Sequence, residues 1–384
     1  MPETLPILTT SVIGSHAYPS WMLTALEAIE ADKYGATDQQ ELFDDAVNIA
    51  ILDQERAGID IISDGEMRRW YFVQSFYRRM RNLERLEPLR KVGVYGYDSV
   101  PRYRPTGRVV LPKGLGIVEE FLYLRKHTKK PVKATCPGPV TLSIHIRTKD
   151  DRIYRDRSEL YWEFVPVINA ELKALVEAGA DFIQIDGPSA AIVAGEIKEY
   201  IKLFNAAVDG VNVKIAYHVC FGNLASRPRG KREYAWMLPE LLNARCHQLV
   251  LEFANREMKE VELLKEIAAD REVGVGVVDV KSFHVESPDE VAQRIRAVLR
   301  FVPAEKLTLV PDCGFFQLPR WLTVLKLNAL VAAAKIVRQE LTVRAAASGC
   351  RIRKIAAGAW QGYITPGLPC SCSPAALEPD PSGL

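Results

Sequence analysis

The sequence predicts an α/β chain folded as one eight-stranded parallel (β/α)8 TIM barrel. Three observations carry that expectation. Eight apolar runs of strand length recur along the chain, separated by amphipathic helical stretches. Several of these runs are β-branched and apolar at successive positions, as strands covered on both faces should be. No G-x-G-x-x-G follows the first run, which continues as IGSHAYP, so an open doubly wound sheet is the second reading.

The strands are read, in order, as TTSVIGS (9–15), IDIIS (59–63), VKATC (132–136), DFIQID (181–186), VKIAYHVC (213–220), HQLVLEF (247–253), VGVGVVDV (273–280) and LTLVPD (307–312). Between the fourth and its predecessor, ELYWEFVPVINAELKALVEAGA (159–180) has helical periodicity, with Gly179 as its C-cap. SPDEVAQRIRAVLRFV (287–302) is a second helix. Ser287 suits its N-cap, Pro288 its first turn, and Asp289 and Glu290 the positive end of its dipole. RRWYFVQSFYRRMR (68–81) reads as a helix that buries an aromatic stripe and turns a basic face to solvent; the alternative is a cover over a donor site. Residues 80–113 fall outside the alternation. Their VGVYGYD and YRPTGRVVL suggest a hairpin or lid near the barrel mouth. The barrel is assigned to residues 1–342. Residues 343–384, rich in Gly, Ala, Pro and Ser, are expected to be an irregular or disordered tail.

The 384 residues suit one barrel of roughly 250 to 400 residues. A net charge of +2 is too balanced to call for nucleic acid or an acidic membrane surface. No apolar stretch approaches the ~18 residues of a membrane span, and MPETLPILTT lacks the pattern of a signal peptide, so a cytoplasmic protein is expected. Seven scattered cysteines are expected to be reduced thiols. Cys370 and Cys372 form a C-x-C, which is half a metal site at most; loose tail cysteines are the plainer reading.

In such a barrel, function gathers at the C-terminal ends of the strands. His218 and Cys220 end the fifth strand, two residues apart, so both side chains face the same way. Glu252 ends the sixth strand within the apolar LVLEF, where an acid is costly unless paired or metal-bound. Cys313 follows the eighth strand in PDCGF. A lone buried cysteine is usually a small hydrophobe, and a lone strand histidine a satisfied core residue. A histidine, two thiols and a carboxylate at one barrel mouth are instead a ligand set for Zn2+. Such a set either staples the fold or, with the carboxylate moved aside, admits a substrate thiolate.

The motif series IGS (13–15), DGE (64–66), CPGPVT (136–141), IQID (183–186), HVC (218–220), LEF (251–253), DVKS (279–282) and PDCGF (311–315) resembles the catalytic C-terminal barrel of the cobalamin-independent methionine synthase family, over roughly residues 8–340. The resemblance implies that His218, Cys220, Glu252 and Cys313 hold zinc. It implies that Ile13, Gly14 and Ser15 hold the carboxylate of homocysteine, and that Glu66 and Asp186 receive its ammonium group; ion pairs with Arg68 or Arg69 are the alternative for these acids. The implied reaction moves a methyl group to the homocysteine thiol to give methionine.

Three departures stand out. The full-length family carries a second, N-terminal barrel that this sequence lacks. Lys281 stands where the family has a histidine thought to protonate the folate leaving group, with His284 three residues away. The folate-stacking tryptophan after G-P-V-T is absent from GPVTLSIHIRT. Glu66, Asp186 and Lys281 are therefore expected in the chemistry, with a methyl-folate or a methylated corrinoid protein as donor. Alkylation of another thiol, such as coenzyme M epoxide opening, is a rival. A decarboxylase on the related uroporphyrinogen barrel and a non-catalytic zinc-stapled barrel are others.

Overall fold

The computed structural model describes residues 5–91, 99–148, 152–193, 195–223 and 231–347. Seven short strands form one parallel sheet: β1 (Thr9–Thr10), β4 (Ala134–Pro137), β5 (Phe182–Asp186), β6 (Lys214–Val219), β7 (Gln248–Leu251), β8 (Glu272–Val278) and β9 (Leu307–Pro311). Their spatial order is β1-β9-β8-β7-β6-β5-β4. The other two strands, β2 (Arg81–Leu86) and β3 (Arg102–Val110), pair antiparallel as a hairpin outside the barrel.

The second expected strand, 59–63, is present only as bridges, and those bridges close the barrel. Ser11 pairs with Ile61 on one side, and Ile62 with Val132 on the other. Backbone bonds remain at its centre, from Ile61 N to Thr10 O and from Ile62 N to Pro131 O at 3.0 Å each, and side chains serve its ends. The Asp60 carboxylate accepts from Thr10 N and Oγ1, both at 2.8 Å. Gln54 satisfies both backbone groups of Ser63, at 3.0 and 2.9 Å. A segment whose peptide groups bond to side chains counts as little strand but still fills its place in the ring.

Helices cover the outside. Arg157–Glu177 starts at Asp156, whose side chain accepts from Glu159 N, and ends near Gly179 with φ +94°. Pro288–Val298 starts at Ser287 in a capping box with Glu290. The last helix, Arg320–Ala347, runs past the expected boundary at 342. The helix expected at 68–81 shrinks to Gln74–Tyr77, because Tyr71 and Phe72 take left-handed conformations (φ +42° and +63°) that end any preceding turn. VGVYGYD, Cys350, Cys370 and Cys372 lie outside the described residues.

Inside the barrel, period-2 alternation stacks side chains in layers. The lower layer is polar: Lys214 pairs with Glu272 at 2.6 Å, and Gln248 donates to Thr308 at 2.9 Å. Above it, Ile13, Ile61, Phe182, Ala216, Val250 and Val310 form a small closed apolar cluster. On β5, Gln184 follows Phe182 inward; above this level, at or just past the ends of β5, β6, β7 and β9, stand Asp186, His218, Glu252 and Asp312, all buried. Gly276 makes the last possible, since a Cβ there would stand 2.2 Å from Asp312 Oδ1.

Candidate metal centre and substrate cleft

The β5–β6 register sets Asp186 beside His218. His218 Nδ1 lies 3.0 Å from Asp186 Oδ1, so the carboxylate fixes the ring tautomer and leaves Nε2 as the acceptor nitrogen. That Nε2 is buried and has no hydrogen-bond partner. Cys220 Sγ and Cys313 Sγ are 3.6 Å apart. One ligand atom each from His218, Cys220 and Cys313 lies within 4.8 Å of the others. A buried imidazole nitrogen without a partner, next to two thiols, fits a thiophilic cation such as zinc. Burial lowers the affinity of His218 for a proton, but the Asp186 carboxylate more than offsets it, and the net shift is upward. The two thiols share their acidity unequally. The bond from Cys220 brings Cys313 down to about 7, while Cys220 is pushed well above its ordinary value by that same contact and by burial.

Glu252 is not in this close group. Its Oε2 accepts from Lys281 Nζ at 2.5 Å and Phe221 N at 3.2 Å, and its Oε1 from Arg232 Nη2 at 3.1 Å. Lys281 therefore meets the site through Glu252. Two residues that the sequence did not single out hold this corner. Tyr234 Oη donates to Val219 O and accepts from Glu252 N, both at 2.9 Å, tying the end of β6 to the end of β7. Asp312 accepts from Phe253, Ala254 and Asn255 N at 2.9, 2.9 and 2.6 Å, so the residue before Cys313 fixes the loop after Glu252. The aspartate of PDCGF was the available signal for the second.

A cleft opens beside Cys313. Ile13, Ser15, Glu66, Asp186, His218 and Cys313 line it, with Tyr71, Phe72, Ile144, His145, Asn223 and Phe316. Glycines let the loops meet. A Cβ on Gly14 would stand 2.5 Å from Glu66 Oε1, and one on Gly314 would stand 1.9 Å from Ser15 Oγ. Glu66 has φ +54° in the turn after Gly65. Its carboxylate accepts from Thr135 Oγ1 at 2.7 Å and from Arg69 at 3.0 Å. The Arg69 pairing weighed from the sequence is thus real, whereas Arg68 turns away to Asp44. Burial raises the Glu66 acid to about 7, opposed by Arg69 and assisted by Asp186.

The sequence pattern of the cobalamin-independent synthase catalytic domain matches residues 8–336. A methionine synthase of Sulfurisphaera tokodaii is 36% identical over 340 residues, covering 88% of this chain and 95% of that one. A methionine synthase of Saccharolobus solfataricus is 33% identical over 338 residues, covering 88% and 97%. The structure of a B12-independent methionine synthase from Shewanella sp. W3-18-1 in complex with selenomethionine superimposes with a TM-score of 0.74 at 30% identity, over 88% of this chain and 100% of that one. A Listeria monocytogenes structure described as a B12-independent methionine synthase shares the fold, with a TM-score of 0.61 at 19% identity over 87% of this chain and 99% of that one. No described helix is long and apolar enough to cross a membrane. The chain belongs to the cobalamin-independent synthase catalytic-domain family and is a methyltransferase of the methionine synthase type.

Proposed function

We propose that this chain transfers a methyl group to the thiol of homocysteine, giving methionine, at a zinc site formed by His218, Cys220 and Cys313 with Glu252 beside them. The buried, partnerless Nε2 of His218 next to two thiols carries the reading. The Shewanella neighbour, described in complex with selenomethionine, supports a methionine-like product.

Zinc, when bound, supplies a Lewis acid that keeps a coordinated thiol deprotonated near neutral pH, where a free thiol of pKa ~8.5 is mostly protonated. The protein does the rest. Asp186 orients His218 through Nδ1. The Gly14–Ser15 backbone and the Ser15 hydroxyl suit the amino-acid carboxylate, and Glu66 and Asp186 suit its ammonium group. A metal staple has no use for two acids in an open cleft, nor does a sulfonate-bearing thiol. The thiol sulfur attacks the methyl carbon in line; the new S–CH3 bond forms as the donor–CH3 bond breaks, and its electron pair stays with the donor. Phe72, Ile144 and Phe316 give the cleft apolar walls that limit water. The donor is a methyl-folate or a methyl-corrinoid. A cytoplasmic setting would keep both thiols reduced.

Purified protein should hold about one zinc per chain, and Cys313→Ala should lose it. X-ray absorption at the metal should show two sulfur neighbours at rest and three with homocysteine. A sulfur count unchanged by homocysteine would sink the thiol-activation reading. Parallel assays with methyltetrahydrofolate and methylcobalamin decide the donor.

A further inference from the structure

We infer that His16, braced by Asp53 and Arg320, is a positioning residue for the amino-acid end of the substrate: it fixes the loop on which Ser15 meets the carboxylate. The inference rests on the proposed role of Ser15 and names what holds that residue in place.

His16 is 2% exposed and does not line the cleft. Its Nε2 lies 3.0 Å from Asp53 Oδ2. Asp53 belongs to the helix Ala36–Ala57 and is itself buried. Arg320, the first residue of the last helix, grips the same carboxylate with two bonds, Nε to Oδ2 at 2.6 Å and Nη2 to Oδ1 at 2.7 Å. Burial works against a charge on Asp53, but the bonds from His16 and Arg320 outweigh it and bring the acid down to about 2. The partner of His16 is therefore an anion at neutral pH. The backbone of His16 is fixed as well. Its N–H donates to Gly65 O at 2.9 Å, and a Cβ on Gly65 would stand 2.9 Å from His16 Cβ. On the other side, Ser15 O accepts from Phe315 N at 2.8 Å. The peptide that carries Ser15 is thus pinned at both ends.

An apolar side chain would fill the space of His16 without desolvating an imidazole and a carboxylate. It could not take a fixed direction from Asp53, and direction is what a hydrogen bond supplies. Three stretches distant in the sequence meet on that one carboxylate: the loop after β1, the helix Ala36–Ala57 and the head of the last helix. The last helix follows the turn of Cys313 and Phe316, so the clamp also sets that side of the cleft against Ser15.

The test compares His16→Phe, which keeps a ring and loses the bond, with His16→Gln, whose side-chain amide still donates to Asp53. Hydrogen exchange across residues 12–18 should quicken in His16→Phe and stay near wild type in His16→Gln. At saturating donor, KM for homocysteine should rise about tenfold in His16→Phe, the lower end of what a lost bond to a charged group costs. Its kcat should be nearly unchanged, and His16→Gln should be close to wild type in both. Arg320→Met removes the outer brace at a side chain 40% exposed, and should move the same KM in the same direction if His16→Phe folds poorly. In Ser15→Ala protein the His16→Phe effect should shrink to under about twofold, because no hydroxyl is left to position. Unchanged exchange in His16→Phe, equal KM effects of Phe and Gln, or a tenfold loss that persists without the Ser15 hydroxyl overturns the inference. Calorimetry with methionine separates the two readings. No binding to the wild type sinks the functional proposal and leaves the exchange result to decide on His16. Binding that both His16→Phe and Arg320→Met leave unchanged overturns the role of His16 alone.

Discussion

Gly314→Ala tests how the cleft holds the amino-acid end of its substrate. The backbone of Gly314 does not occupy the left-handed region, so alanine brings no backbone strain. Its Cβ would stand 1.9 Å from Ser15 Oγ, 3.2 Å from Ser15 Cβ and 3.4 Å from Ser15 N. The last two contacts are tight but bearable; the first is not. The two residues cannot separate easily, because Phe315 N donates to Ser15 O at 2.8 Å. The Ser15 hydroxyl must therefore rotate away, and the fold loses little. On the proposed reading, binding then loses the bond from that hydroxyl to the substrate carboxylate. A hydrogen bond to a charged group is worth about 1.5–3 kcal/mol, or roughly 10- to 100-fold at about 1.4 kcal/mol per decade. Initial rates against homocysteine at saturating donor should show KM raised by that factor with kcat nearly unchanged, the sign of a contact made equally in ground and transition states. Ser15→Ala should give the same KM, and the double variant should be no worse, since both delete one bond. A KM within twofold of wild type in Gly314→Ala would refute the assignment of Ser15.

Two further outcomes follow from the cleft's acids and their partners. Arg69 is 2% exposed and bonds to Glu66, Glu120 and both the hydroxyl and carbonyl of Thr135 at 2.7–3.0 Å. Arg69→Met strands two buried carboxylates and should lower stability by about 3–5 kcal/mol in urea titrations; a loss under 1 kcal/mol would mean the network is dispensable. Because Glu66 is raised to about 7, it is largely neutral below that pH and charged above it. Methionine, which has no thiol to titrate, should therefore inhibit more weakly as pH falls from 8 to 6. Glu66→Gln should flatten that profile, and an unchanged profile would exclude Glu66 from the ammonium site.

The convergence of the strand-end residues was legible because alternation is a local rule. His218 and Cys220, two apart on one strand, must face one way, and β6 places them so. The end of β7 and the turn after β9 then bring Glu252 and Cys313 to the same mouth. Other features were not local. The 59–63 strand shortens to bridges because Asp60 and Gln54, one of them on a neighbouring helix, replace backbone partners at its two ends. Tyr71 and Phe72 reach the cleft through left-handed backbone that their residue types disfavour, so the aromatic, arginine-rich run around them reads as a helix. The engagement of Glu252 by Arg232 joins residues 20 apart in the sequence that no local periodicity relates.

The layering of the barrel explains why so many acids and thiols crowd one end without cancelling each other's use. The lower polar layer, Lys214 with Glu272 and Gln248 with Thr308, satisfies itself. The apolar cluster above it separates that layer from the mouth. One link crosses: Lys133 Nζ donates to Gln184 at 2.6 Å, and Gln184 Nε2 donates to Asp186 at 2.7 Å. Charges at the mouth therefore act on one another through dry protein, where each is felt more strongly than in water. Under those conditions every anion needs an assigned partner. Asp186 has His218 and Gln184, Glu66 has Arg69 and Thr135, and Asp312 has three backbone N–H groups. Glu252 has Lys281 and Arg232. Among the buried polar atoms left without a partner, His218 Nε2 is the one that lies beside two thiols sharing one bond. On the proposed reading, that deficit is where a cation, and beside it a thiolate, would sit.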